Sequence, residues 1–94
     1  MKDSVVFAPI PGPDGGIVAL TLWPPGTWLA KNAWQVLVGE CGVGRASSRA
    51  EAETLLLSAA QEECDRRILR AEAEAKHYRT VRPQRLVLLT EEGQ

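Results

Sequence analysis

A chain of 94 residues has room for one domain around one hydrophobic core. With 45% hydrophobic and 24% charged residues it falls in the globular range, which excludes a disordered tail. Eleven Lys and Arg against twelve Asp and Glu leave a formal charge of −1, so no global field steers the chain to nucleic acid or to a membrane surface.

No apolar run approaches the ~20 residues of a membrane helix. The opening MKDSVVFAPIPGPDGG has an apolar run that stops at a proline, too short for a signal peptide. The expectation is a cytoplasmic protein with no membrane partner. Cys41 and Cys64 form no CxxC, and His77 is the single histidine, so a conventional zinc set is missing. Two buried or idle thiols are expected, with a Cys41–Cys64 disulfide as the alternative.

Taken in order, Ser4–Ile10 is β-branched and aromatic and reads as a strand that Pro9 confines to an edge or an end. PGPDGG, residues 11 to 16, supplies fixed and positive φ values and reads as a turn. Ile17–Trp23 is a second strand, apolar on both faces, and the two form a β-hairpin. WPPGTW interrupts, and Leu29–Ala33 allows a short helical turn. Trp34–Gly39 alternates as a third strand with Trp34, Val36 and Val38 on one face. Glycines 39, 42 and 44 then loosen the chain.

Ser48-Arg-Ala-Glu51 matches a capping box, with Glu51 reaching back to the Ser48 amide. No Gly or Pro follows until Pro83, so a helix is expected over about 48–79, ending ahead of the Arg82-Pro83 step. Arg85–Thr90 is a short fourth strand, and residues 91–94 are read as a frayed tail. The resulting order, β-β-β-α-β, makes an α+β fold: a small antiparallel sheet of three to four strands packed against one long helix.

That helix is too long for its domain. From Arg49 to Arg79 it would span ~46 Å at ~1.5 Å per residue, against a domain diameter of ~32 Å. Its first half carries a broad stripe, Leu55, Leu56, Leu57, Ala59, Ala60 and Cys64, suited to a sheet face. The stripe then narrows to Cys64, Ile68, Ala71, Ala75 and Tyr78, spaced 4, 3, 4, 3, which is coiled-coil periodicity with small residues. The expectation is that Ile68, Ala71, Ala75 and Tyr78 dock on a protein partner, including a second copy in a two-fold homodimer. The alternative is that the fourth strand or the Trp loop covers them.

Catalytic chemistry finds little footing. GECGVGRASS, before the helix start, offers amides and Arg45 to an anion, but it is neither GxGxxG nor GxxxxGK[ST]. Cys41 lies near that helix start, yet His77 sits at the far end of the helix, so no nucleophile–base pair forms. No enzyme and no cofactor is expected. The basic block Lys76–Arg85 allows a second reading, a nucleic-acid-binding module using Lys76, Arg79, Arg82 and Arg85.

The three tryptophans fall in LWPPGTWLAKNAW. Trp23 ends one strand and Trp34 opens the next, so the two are expected to lie close across the ladder and join the core or its rim. Trp28, after Pro24-Pro25-Gly26, has no strand to place it and is the expected exposed anchor for a partner.

Trp34-x-Val-x-Val, a glycine-broken turn, then Ser48-x-x-Glu-Ala-Glu opening an alanine-rich helix that ends in AEAEAKHYR, resembles small accessory proteins of bacteriophages and mobile elements, anti-CRISPR proteins among them. The resemblance covers roughly residues 34 to 79 and carries over no functional residues. It implies a non-catalytic protein that binds and inhibits a host defence complex.

Overall fold

The structure is a computed structural model and describes residues 4–26 and 32–91. Trp28, the expected anchor, lies outside the described residues. Five strands and two helices follow one another as β1 (Val5–Pro11), β2 (Ile17–Trp23), β3 (Trp34–Val38), β4 (Cys41–Ala46), α1 (Arg49–Arg70), α2 (Glu72–Val81) and β5 (Leu88–Glu91). All pairings are antiparallel, and the sheet order is β4-β3-β2-β1-β5. The α+β class stands, with five strands rather than three or four and two helices rather than one.

The β1–β2 turn closes through Gly12 N–H on the Gly16 carbonyl (2.7 Å), with Gly15 at φ 92° and the Asp14 carboxylate accepting from the Gly16 amide (3.2 Å). Gly39, at φ 65°, opens the two-residue Gly39-Glu40 turn that joins β3 to β4. β4 is where the sequence suggested loose chain. It is held by pairing to β3, and Gly44 has a second reason to lack a side chain: a Cβ there would stand 2.8 Å from Leu55 Cδ2. The missing atom lets α1 lie close on the sheet.

Pro9 is not on an edge, because β1 runs between β2 and β5. The register instead jumps between Phe7 and Ile10, so the residue that lacks an N–H falls where the β1–β2 ladder is interrupted.

One sheet face packs on the helices. Val5, Phe7, Ile10, Leu20, Leu22, Val36 and Val38 form it, against Ala52, Leu56, Ala60 and Cys64 of α1, a stripe at strict i, i+4 spacing. Trp34 packs at the border of this core. Trp23 pairs with Gln35, not with its neighbour Trp34, and so projects from the opposite face of the sheet. The two tryptophans therefore do not share one site.

α1 starts at Ser48, whose hydroxyl accepts from the Glu51 amide (3.2 Å). The Glu51 carboxylate takes the Ser47 hydroxyl (3.0 Å) in place of the reciprocal capping-box bond. The excess helix length is resolved by a break. Ala71 leaves the helical region (φ −135°, ψ 105°), and α2 folds back along α1 as an αα-hairpin. Neither Gly nor Pro marks the break. The long dimension of the protein, 42 Å, could not hold the ~46 Å straight helix within it. What the break forfeits is a few backbone hydrogen bonds, each worth ~1 kcal/mol net. What it gains is burial of Tyr78 and Ala75 and the packing of Ile68 and Val81, with ~1.5–3 kcal/mol for each large apolar side chain fully covered.

Candidate functional site

The surface expected to meet a partner is taken up by the chain's own fold. Tyr78 is 1% and Ala75 5% exposed, Ile68 packs against the core, and Ala71 is the break residue. Ile68, Ala75 and Tyr78 are thus covered within the chain, and Ala71 makes the turn between the helices.

Arg67 joins the two helices. Its Nε donates to Glu63 (2.7 Å), its Nη1 to the Tyr78 hydroxyl (2.9 Å), and its guanidinium lies over the Tyr78 ring. Arg66 also pairs with Glu63. Burial pushes the Glu63 carboxyl up, and the hydrogen bonds of the two guanidinium groups outweigh it, leaving the carboxyl below its ordinary value. Two depressions flank Arg67: about 200 Å³ beside Gly12, Asp14, Glu74 and Tyr78, and about 370 Å³ beside Val38, Glu40, Cys41 and Glu63. Of their charged lining, Glu63, Arg66 and Arg67 are paired with one another.

The Pro11 carbonyl accepts a hydrogen bond from His77 Nε2 (2.7 Å), and the His77 ring stands edge-on to Tyr78. Cys41 is exposed and Cys64 buried, both as free thiols. Among the described residues no group of three or more His, Cys, Asp or Glu side chains is placed to hold a metal ion. Among the described residues no helix is long and apolar enough to cross a membrane.

The basic segment is divided. Arg82 is fixed to Asp65 by two hydrogen bonds (2.9 and 3.2 Å), while Lys76, Arg79 and Arg85 are exposed. Lys76 and Arg79 share one side of α2 with Glu72, four residues before Lys76, which dilutes the positive patch.

The outstanding surface lies elsewhere. After α2, Gln61 donates to the Pro83 carbonyl (2.9 Å) and Arg82 grips Asp65, so the return segment is held along α1. Leu86 packs on the core, and the chain then pairs with β1 as β5, the outermost strand. Here Val87, Leu88 and Leu89 are 49%, 47% and 58% exposed, three consecutive large apolar side chains. The other exposed large apolar residues among the described ones, Ile17, Val43 and Leu69, are not adjacent in sequence to one another.

The backbone at this edge is oriented as well. Ala8 N–H donates to the Val87 carbonyl (2.7 Å) across the Phe7–Leu88 pair. In an antiparallel ladder that bond makes Phe7–Leu88 a non-hydrogen-bonded pair, so the N–H and C=O of Leu88 point away from β1. Leu89 is the extra residue where the register shifts between Val6 and Phe7.

The opposite edge, β4, is guarded. It carries Gly42 and Gly44, a register shift at Val43, and the exposed Arg45, which bonds Gln35. β5 has no glycine and no charge from Leu86 to Thr90. The sequence did contain a signal for this: Leu86-Val-Leu-Leu does not alternate, and a strand apolar on both faces belongs inside a sheet, not at its edge.

Compared with known proteins, the chain matches no family model, no curated protein and no solved structure.

Proposed function

We propose that the protein acts by binding another polypeptide, without catalysis of its own, and that the contact is strand addition at the β5 edge. One observation carries this reading: the outward N–H and C=O of Leu88 lie within three consecutive exposed apolar residues. An edge of that kind satisfies the main chain of an incoming strand and offers apolar cover to its side chains. The resemblance to phage accessory proteins supplies one setting, occupation of a host defence complex. A nucleic-acid role is less supported, because Arg82 is committed to Asp65 and Glu72 dilutes the rest of the patch.

The test is affinity capture from a cell extract with the wild-type chain and with Leu88→Pro. The substitution removes an amide that the ladder turns away from β1, and circular dichroism checks that the fold is kept. A protein captured by the first and lost with the second supports the reading. Capture that is indifferent to Leu88→Pro, and that weakens steeply with salt through Lys76 and Arg79, sinks it in favour of nucleic acid.

A further inference from the structure

We infer that the cleft between the turn end of the sheet and the helical hairpin binds an extended segment of another protein, one that carries an apolar side chain followed two residues later by Lys or Arg. This contact is separate from the β5 edge and does not depend on it: no described residue of β5 lines the cleft.

The cleft has a main-chain docking point. The two depressions beside Arg67 share Ile17, Val18 and Arg67 as a common wall, so they are two lobes of one groove. The Gly12 N–H bonds the Gly16 carbonyl just beyond the Pro11–Ile17 pair, which makes that pair a non-hydrogen-bonded one. The N–H and C=O of Ile17 therefore point away from β1, toward the β3 side. β3 has already turned back there: its ladder on β2 ends at Leu20–Val38, followed by the Gly39 N–H on the Ala19 carbonyl. Among the described residues no backbone group takes up those of Ile17 on that side, and Ile17 is 66% exposed. A chain that continues the line of β3 runs antiparallel to β2 and pairs with Ile17.

The two lobes set what that chain carries. Val18, Val38 and Val43 line the larger, about 370 Å³, while Asp14 and Glu74 line the smaller, about 200 Å³. Neither rises far above the lower end of the about 300–1,000 Å³ of drug-sized sites, so each lobe suits one or two side chains. The cations of the lining, Arg66 and Arg67, are both paired with Glu63. Asp14, Glu40 and Glu74 have no ion-pair partner among the described residues. The groove thus repels phosphates and acidic segments and favours a cation in the smaller lobe. Side chains two residues apart on an extended chain share one face at a spacing of about 6.6 Å, which suits adjacent lobes. Running antiparallel to β2, the chain passes Val18 and Val38 before it reaches the Asp14 turn, so the apolar residue precedes the basic one.

The probe is the acetylated and amidated peptide Gly-Leu-Ser-Arg-Gly, titrated to about 1 mM into the isotope-labelled chain and followed by nuclear magnetic resonance. Amide shifts are expected at residues 16–18 and 39–43 and not at Leu88. The Kd should be on the order of 100 µM, weak as suits so small a contact. Replacing the peptide's Arg by Glu, or its Leu by Ser, should weaken binding about tenfold. Asp14→Asn combined with Glu74→Lys should exchange the preference, so that Gly-Leu-Ser-Glu-Gly binds better than the Arg peptide. A merely structural role of the two acids would not exchange them. Ile17→Pro, at the first residue of β2 where proline is tolerated, should abolish binding while circular dichroism shows the fold intact.

Absence of shifts at about 1 mM peptide overturns the inference, as does a Glu peptide that binds the wild-type chain as well as the Arg peptide. Arginine amide alone binding as tightly as the peptide also overturns it, since the site would then be one for a small cation. If Ile17→Pro fails to fold, the charge exchange at Asp14 and Glu74 decides alone. Shifts at Leu88 in place of residues 16–18 overturn the cleft and leave the proposed function standing.

Discussion

Arg67 of α1 stands 5.4 Å from the centre of the Tyr78 ring in α2 and donates a hydrogen bond to its hydroxyl at 2.9 Å. One side chain thus meets both the ring and the polar tip of the other, and Glu63 holds the guanidinium from behind at 2.7 Å. This is the clasp of the helical hairpin. Tyr78→Phe keeps the ring and removes the hydroxyl, and should cost about 1 kcal/mol. In a domain of this size that lowers Tm by roughly 4–8 °C. Tyr78→Ala also empties the core position and should cost about 3–5 kcal/mol. Thermal melts of the two variants give the comparison; an unchanged Tm for Tyr78→Phe would mean the hydroxyl contributes nothing.

Ala71 caps α2 with a backbone in the extended region and no side-chain bond. Ala71→Ser would provide the missing acceptor for the first turn, and Glu74 stands three residues on to complete a capping box. The expected gain is about 0.5–1 kcal/mol. In an unbroken helix the same change would lower stability by about 0.5 kcal/mol, since Ser is the poorer helix former. The sign of the Tm shift therefore decides between a hairpin and a straight helix.

Much of this architecture was legible in the sequence, and the exceptions share a cause. β2 and β3 and the start of α1 follow from β-branched runs and from a capping Ser48, all local signals. β4 was hidden because Gly42 and Gly44 have poor strand propensity, and what makes them a strand is β3 beside them and α1 above. The break at Ala71 was hidden because alanine favours helix, and only the docking of Tyr78 and Ala75 onto α1 overrides it. The 4, 3, 4, 3 spacing marks side chains that need cover, but spacing carries no information on whether that cover comes from the same chain. The β5 edge was visible as composition and invisible as a site, because edge position is a property of topology.

The two cysteines should separate by reactivity. Burial, with the Asp65 charge adding to it, pushes the Cys64 thiol up, and the side chain is fully covered. Cys41 is exposed. A disulfide-exchange reagent followed by absorbance should titrate one thiol per native chain quickly, and the second only when denaturant unfolds the protein. Two equally fast thiols would mean that Cys64 is not in the core.

Acid should loosen the hairpin. The Arg82 hydrogen bonds hold the Asp65 carboxyl below its ordinary value, and Glu63 is lowered on balance by Arg66 and Arg67 against its own burial. Both groups hold protons more weakly folded than unfolded. Their contribution is therefore fully present above the unfolded values of about 3.9 for Asp and about 4.3 for Glu, and is lost as pH falls through the lower folded values. Urea midpoints at pH 7 and pH 3 should differ in that direction. Arg82→Ala, which removes the cause of the Asp65 shift, should narrow the difference, and an unchanged difference would count against the Asp65–Arg82 pair.

The last strand of the chain lies beside the first, and this has a kinetic consequence. β1 to β4 form a meander of successive hairpins, and α1 and α2 a hairpin of their own, so every strand ladder but one is made between strands that follow one another. Only the β1–β5 ladder joins residues about as far apart as the chain allows, for example Val5 and Glu91. Closing so long a loop carries the largest entropic cost in the molecule. β5 is accordingly the element expected to arrive last in folding and to detach first in the native state, with its ladder amides exchanging hydrogen sooner than those between β2 and β3. A strand that pairs with β5 from outside clamps it from both sides, so association and completion of the sheet become one cooperative event.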